Sequence, residues 1–129
     1  MSPTKKSLIL ALAIAAGSMP PAARAQELSR FAQACEYAAK KALVSTFTFE
    51  RTGVDDTTAA KGLDVTISYN AKSTDTGNTY PETFLCTFKS VADPTNIVLD
   101  SAETGGREFG FESVNALNSM LKQGGFQPK

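Results

Sequence analysis

The chain contains no histidine. That removes the commonest general base, the Ser-His-Asp and Cys-His arrangements, and most zinc and copper sites. Its two cysteines, Cys35 and Cys86, lie far apart and not in the C-x-x-C spacing usual for redox work. No G-x-S-x-G elbow, phosphate-cradling glycine loop or dinucleotide fingerprint occurs. Carboxylates, lysines and hydroxyls remain as the groups available for catalysis. The densest acidic stretch is Asp55-Asp56, followed by Thr57-Thr58. Those residue types could hold a cation or supply one member of a glycosidase-type acid pair. Adjacent side chains diverge on an extended backbone, however, and the oxygens lack the spacing of a calcium loop. The expectation here is a solvated turn, with no metal and no cofactor.

Recognition chemistry is better represented than catalytic chemistry. The polar segment Ala71 to Asn78 (AKSTDTGN) carries Ser73, Asp75 and Asn78, with Tyr80 just beyond it. Serine, asparagine and tyrosine offer hydrogen bonds and aromatic area at modest entropic cost, and exposed loops on a rigid scaffold commonly carry binding residues. These four are the candidate binding residues; the alternative is a plain flexible connection. The phenylalanines at 47, 49, 84, 88, 109 and 111 alternate within apparent strands, which assigns them to a core in preference to a ligand groove.

The elements that must position these residues follow from periodicity. Leu28, Phe31, Ala32, Cys35, Ala38, Ala39 and Ala42 fall on one stripe of an α-helix, with Arg30, Gln33, Lys40 and Lys41 off it and a favourable Glu36/Lys40 pair. From Val44 the composition turns β-branched and aromatic, with Phe47 and Phe49 alternating against threonines. A turn region from Gly53 to Gly62 precedes a second alternation of Leu63, Val65, Ile67 and Tyr69. The third strand, Thr79 to Lys89, alternates Phe84, Cys86 and Phe88, with Pro81 limiting its pairing in a sheet centre. Asn96 to Ala102 reads as a further strand, and Gly105-Gly106 as a tight hairpin turn into Arg107 to Phe111. Val114, Leu117, Met120 and Leu121 mark a short second helix, capped by Ser113 and stopped by Gly124-Gly125. The expected fold is α+β: an N-terminal helix, an antiparallel sheet of four to five strands, and a short C-terminal helix packed with the first on the apolar face.

The N-terminus has the build of a secretory signal peptide. Lys5 and Lys6 precede an uncharged run from Ser7 to Ala16, and Ala23-Arg24-Ala25 supplies small residues before a cut after Ala25. Residues 1–25 are thus the expected leader and 26–129 a single domain. The apolar run is shorter than the roughly 20 residues that span a bilayer, so no membrane span is expected. Cleavage would remove three of 13 basic residues and none of the 13 acidic ones. The resulting net negative charge argues against a nucleic-acid partner held by the overall field. In an exported chain, two cysteines that each sit on the inner face of an element are expected to form a structural disulfide, Cys35 to Cys86, which ties helix to sheet. Two free thiols or a bond to another chain are the alternatives.

The inward cysteine on the first helix, the V-x-I-x-Y-x-A strand (Val65, Ile67, Tyr69, Ala71) and the F-x-C-x-F strand (Phe84, Cys86, Phe88) together resemble small exported bacterial domains of uncharacterised function. In addition, Thr76-Gly77-Asn78-Thr79-Tyr80 is similar to the S-G-x-x-Y loop of periplasmic inhibitors of C-type lysozyme, with Thr in place of Ser. Those inhibitors resemble all-β barrels, from which the N-terminal helix departs. The functional expectation is a periplasmic or secreted, non-enzymatic interaction module of inhibitor or immunity type, whose partner is an envelope or extracellular protein. The alternative is a small carboxylate-based hydrolase, which would need two carboxylates converging in a cleft, at least one with a raised pKa.

Overall fold

The first helix, α1 (Arg30–Ala42), begins where Ser29 caps it: the Ser29 Oγ accepts a hydrogen bond from the Ala32 N–H at 3.0 Å. Lys40 and Lys41 occupy its last turn, where cations complement the helix dipole. The computed structural model describes residues 27–129, so the expected leader, 1–25, lies outside the described residues. Phe31, Ala32, Ala34, Cys35, Ala38 and Ala39 are buried. Most are alanine, and small side chains let the helix backbone approach the sheet closely. Ala42 is exposed although it continues the apolar stripe, because it overhangs the end of the packed region.

Five antiparallel strands form one sheet in sequence order: β1 (Phe47–Asp56), β2 (Asp64–Ser73), β3 (Thr79–Phe88), β4 (Leu99–Thr104) and β5 (Arg107–Glu108). The meander agrees with the α+β expectation. Val65, Ile67, Tyr69 and Ala71 of β2, Phe84, Cys86 and Phe88 of β3, and Leu99 and Ala102 of β4 are buried on the face that carries the helices. The intervening positions point to the other face, which is polar and rich in threonine and serine. Pro81 lies opposite Asn70 of β2, and the β3/β4 ladder stops at Phe84↔Thr104 before reaching it. A residue without an N–H is tolerated there because no strand needs that donor.

Three stretches differ from the sequence reading, the first being the strand expected from Asn96 to Ala102, which runs instead from Leu99 to Thr104. The turn expected from Gly53 to Gly62 is shorter, because β1 runs on to Asp56. Ser68, Ile67, Thr66 and Val65 of β2 supply partners for Gly53 through Asp56, across a bulge between Arg51 and Gly53. The remaining connection holds a short 3₁₀ turn, Thr58–Ala60. At the other end, Gly105 and Gly106 have φ of 59° and 80° and link Thr104 to Arg107, the two-residue turn with both central residues at positive φ. The strand beyond it is only Arg107–Glu108. Phe111 does not continue the alternation; it opens the second helix, α2 (Phe111–Gln123), and its side chain is exposed. Ser113 is accordingly inside the first turn and is not the cap. Gly110 holds that position without a side-chain bond.

Val114, Leu117 and Leu121 of α2 are buried. Asn118 fixes this helix to β4 by accepting from the Leu99 N–H at 2.8 Å and donating to the Leu99 carbonyl at 3.1 Å. The C-terminal segment then folds back: the Ile97 N–H donates to the Phe126 carbonyl, and Arg30 donates to the Gly125 carbonyl with its guanidinium 4.4 Å from the Phe126 ring centroid. The Cys35–Cys86 disulfide joins α1 to β3 with Cα atoms 5.8 Å apart, and both residues are fully buried. Such bonds persist in oxidising compartments. Among the described residues no helix is long and apolar enough to cross a membrane.

Candidate functional site

The two helices leave part of the apolar face uncovered. Beyond the last turn of α1 the sheet carries an open groove of about 530 Å³. Its floor is Tyr69 and Ala71 of β2 with Tyr80, Glu82 and Phe84 of β3. One wall is the end of α1 with Leu43 and Val44; the other is the β4–β5 turn with Thr104 and Arg107, continued by Phe109. Phe47 of β1 closes one end against Tyr80, their ring centroids 6.0 Å apart. Phe84 meets Phe109 edge to face at 5.6 Å, and Tyr69 stacks on Phe49 at 4.6 Å. The rim exposes Val44 (60%) and Tyr80 (44%).

The β2–β3 loop adjoins this groove and is tightly braced. The Ser73 N–H donates to the Asn78 carbonyl at 2.8 Å and the Gly77 N–H to the Ser73 carbonyl at 2.9 Å, with Gly77 at φ 78°. Thr74 reaches across to the segment before β1, where both its N–H and its hydroxyl donate to the Thr46 carbonyl. The four residues singled out from the sequence therefore take different places. Ser73 is buried, and its Oγ accepts from the Asp75 and Thr76 N–H groups at 3.2 Å, so its hydroxyl shapes the loop from inside. Asp75 and Asn78 are exposed on the loop. Tyr80 stands at the groove rim, its hydroxyl 3.5 Å from the Asn78 Nδ2. Asn78 and Tyr80 are thus neighbours, with Asp75 farther along the loop.

The acidic pair is divided by the strand that contains it. Asp56 faces α1, where its carboxylate accepts from the Ser29 hydroxyl at 2.5 Å and from the Thr58 hydroxyl and N–H at 2.5 and 2.9 Å. Asp55, opposite Thr66, points to the other face. Partial burial raises the pKa of Asp56, but the bonds from Ser29 and Thr58 outweigh it and leave the group below its ordinary value. Asp93 is also held low, by the Thr95 hydroxyl and then the Thr95 N–H. Both shifts favour the ionised acceptor, the opposite of what a general acid requires. Among the described residues no three His, Cys, Asp or Glu side chains gather as a metal site.

Glu82 and Arg107 were not among the sequence candidates, yet both line the groove. A signal for Glu82 was present: Tyr80, Glu82, Phe84, Cys86 and Phe88 share one parity of β3, so the same alternation that turns Cys86 inward puts a carboxylate on the apolar face. The groove itself has no such signature, because it exists where α1 ends relative to a sheet distant in sequence. The phenylalanines assigned to the core divide likewise: Phe84 and Phe88 are buried, Phe47, Phe49 and Phe109 are half-buried, and Phe111 is exposed. The chain matches no family model, no curated protein sequence and no solved structure.

Proposed function

We propose that this protein is an exported, non-enzymatic interaction module of the periplasm or extracellular space, which holds a protein partner with the β2–β3 loop and the groove beside it. The observation that carries this reading is the junction of a braced loop with an open, aromatic-lined groove on a disulfide-tied sheet. A stiff loop loses little conformational entropy when it is captured, and a rimmed apolar recess supplies the area that a polar loop lacks. Asp75, Asn78 and Tyr80 are the proposed contacts, with Ser73 holding the loop in shape. The stiffness fits an inhibitor or immunity-type protein, whose binding segment must not adapt to, or be consumed by, its target.

The test is affinity capture from an envelope extract with the oxidised protein as bait. A single protein retained in equal stoichiometry by the native chain and released by Asp75→Ala/Tyr80→Ala supports the reading. The double variant should lower the thermal midpoint by no more than about 8 °C, since Asp75 is exposed and Tyr80 gives up one edge contact with Phe47. Capture that survives the double variant refutes the assigned surface. A large drop in stability would make these residues structural.

A further inference from the structure

We infer that the groove is a receptor for an aliphatic cation, a lysine or arginine side chain of the protein partner, with its charge at Glu82 and its stem along the aromatic floor. This rests on the interaction-module reading and specifies what that surface selects. Glu82 is half-buried, flanked along β3 by Tyr80 and Phe84 and cross-strand from Tyr69. Among the described residues it makes neither an ion pair nor a side-chain hydrogen bond. A carboxylate so placed attracts a cation more strongly than one in open water, and the surrounding rings add attraction through their negative faces. Arg107, the groove's guanidinium, is exposed on the two-residue strand β5, where water screens it.

The same chemistry is already satisfied internally at the Glu36, Lys40 and Phe49 cluster between α1 and β1. Lys40 lies with its Nζ 5.6 Å from the Phe49 ring centroid and 3.3 Å from the Glu36 carboxylate. There the chain supplies the ring, the carboxylate and the lysine. In the groove it supplies the rings and a carboxylate that no cation of the described residues, Arg107 included, pairs with. The recess of about 530 Å³ is roomy enough for one long side chain together with part of the backbone that presents it.

The experiment is an NMR titration of the isotope-labelled protein with three probes of similar length: n-pentylammonium, 1-pentanol and hexanoate. Pentylammonium should shift the amides of Tyr80, Glu82 and Phe84 and bind about tenfold more tightly than pentanol, the size of a partly desolvated cation–π and carboxylate attraction. Glu82→Gln should bring that preference close to unity while the thermal midpoint stays unchanged. Equal binding of pentanol, or tighter binding of hexanoate, at these residues would overturn the cation assignment while leaving the groove a binding site. Shifts by no probe at these residues would also overturn it, and the interaction reading itself then stands or falls on the capture experiment with the Asp75→Ala/Tyr80→Ala variant. Preference retained in Glu82→Gln would show that another group selects the charge, and would refute the role given to Glu82.

Discussion

Removing the disulfide is the perturbation whose size can be worked most directly. Cys35 and Cys86 are 51 residues apart in sequence and both fully buried. Opening a loop of that length returns to the unfolded chain an entropy that at 25 °C corresponds to about 4 kcal/mol. A domain of this size has roughly 5–15 kcal/mol in all, so Cys35→Ala/Cys86→Ala should lower the thermal midpoint by on the order of 20 °C. The assay is paired: thermal unfolding by circular dichroism, and urea unfolding of native and variant proteins. If the effect lies in the unfolded ensemble, the urea slope should rise, because an uncrosslinked chain exposes more surface. The folded spectra of loop and groove residues should be preserved, since Phe84, Phe88, Phe31 and Ile67 still hold α1 on the sheet. A midpoint shift below about 5 °C would refute the loop-entropy argument. A large shift with an unchanged urea slope would place the effect in native packing around the two sulfurs.

Four further substitutions, two of them paired in one cycle, test the packing and the caps. A Cβ on Gly124 would lie 2.7 Å from the Tyr37 ring, which packs on Phe126, so Gly124→Ala should cost about 1–3 kcal/mol, and Tyr37→Ala should relieve most of that penalty in a double-mutant cycle. Asn118→Ala strips a partner from both the N–H and the carbonyl of Leu99 and should destabilise by about 2–4 kcal/mol in urea unfolding, with faster hydrogen exchange at Leu99. Asp56 has a folded pKa below its unfolded one, so its contribution to stability is fully present above the unfolded value and is lost as pH falls through the folded one. Asp56→Asn should therefore flatten the stability profile below about pH 4, and an unchanged acid limb would refute the role given to the Ser29 and Thr58 bonds.

Local pattern carried much of this fold. The stripe from Phe31 to Ala39 defined α1, the alternations through Val65 to Ala71 and Phe84 to Phe88 defined β2 and β3, and Gly105-Gly106 defined its turn, because side-chain parity and positive φ are properties of the chain itself. The pairing of Cys35 with Cys86 followed from there being two cysteines, each on an inner face. Tertiary structure decided the rest. Whether Gly53 to Asp56 extend β1 depends on Val65 to Ser68 being free to pair with them. Phe111 leaves the strand pattern because it stands in the first turn of α2, where the Val114 N–H already bonds the Gly110 carbonyl. Ser73 turned out to be an internal brace because the β2–β3 turn folds its amides back onto that hydroxyl. The groove is the clearest case: periodicity reports that Tyr69, Tyr80, Glu82 and Phe84 share a face, but only the point at which α1 stops determines that this part of the face stays open.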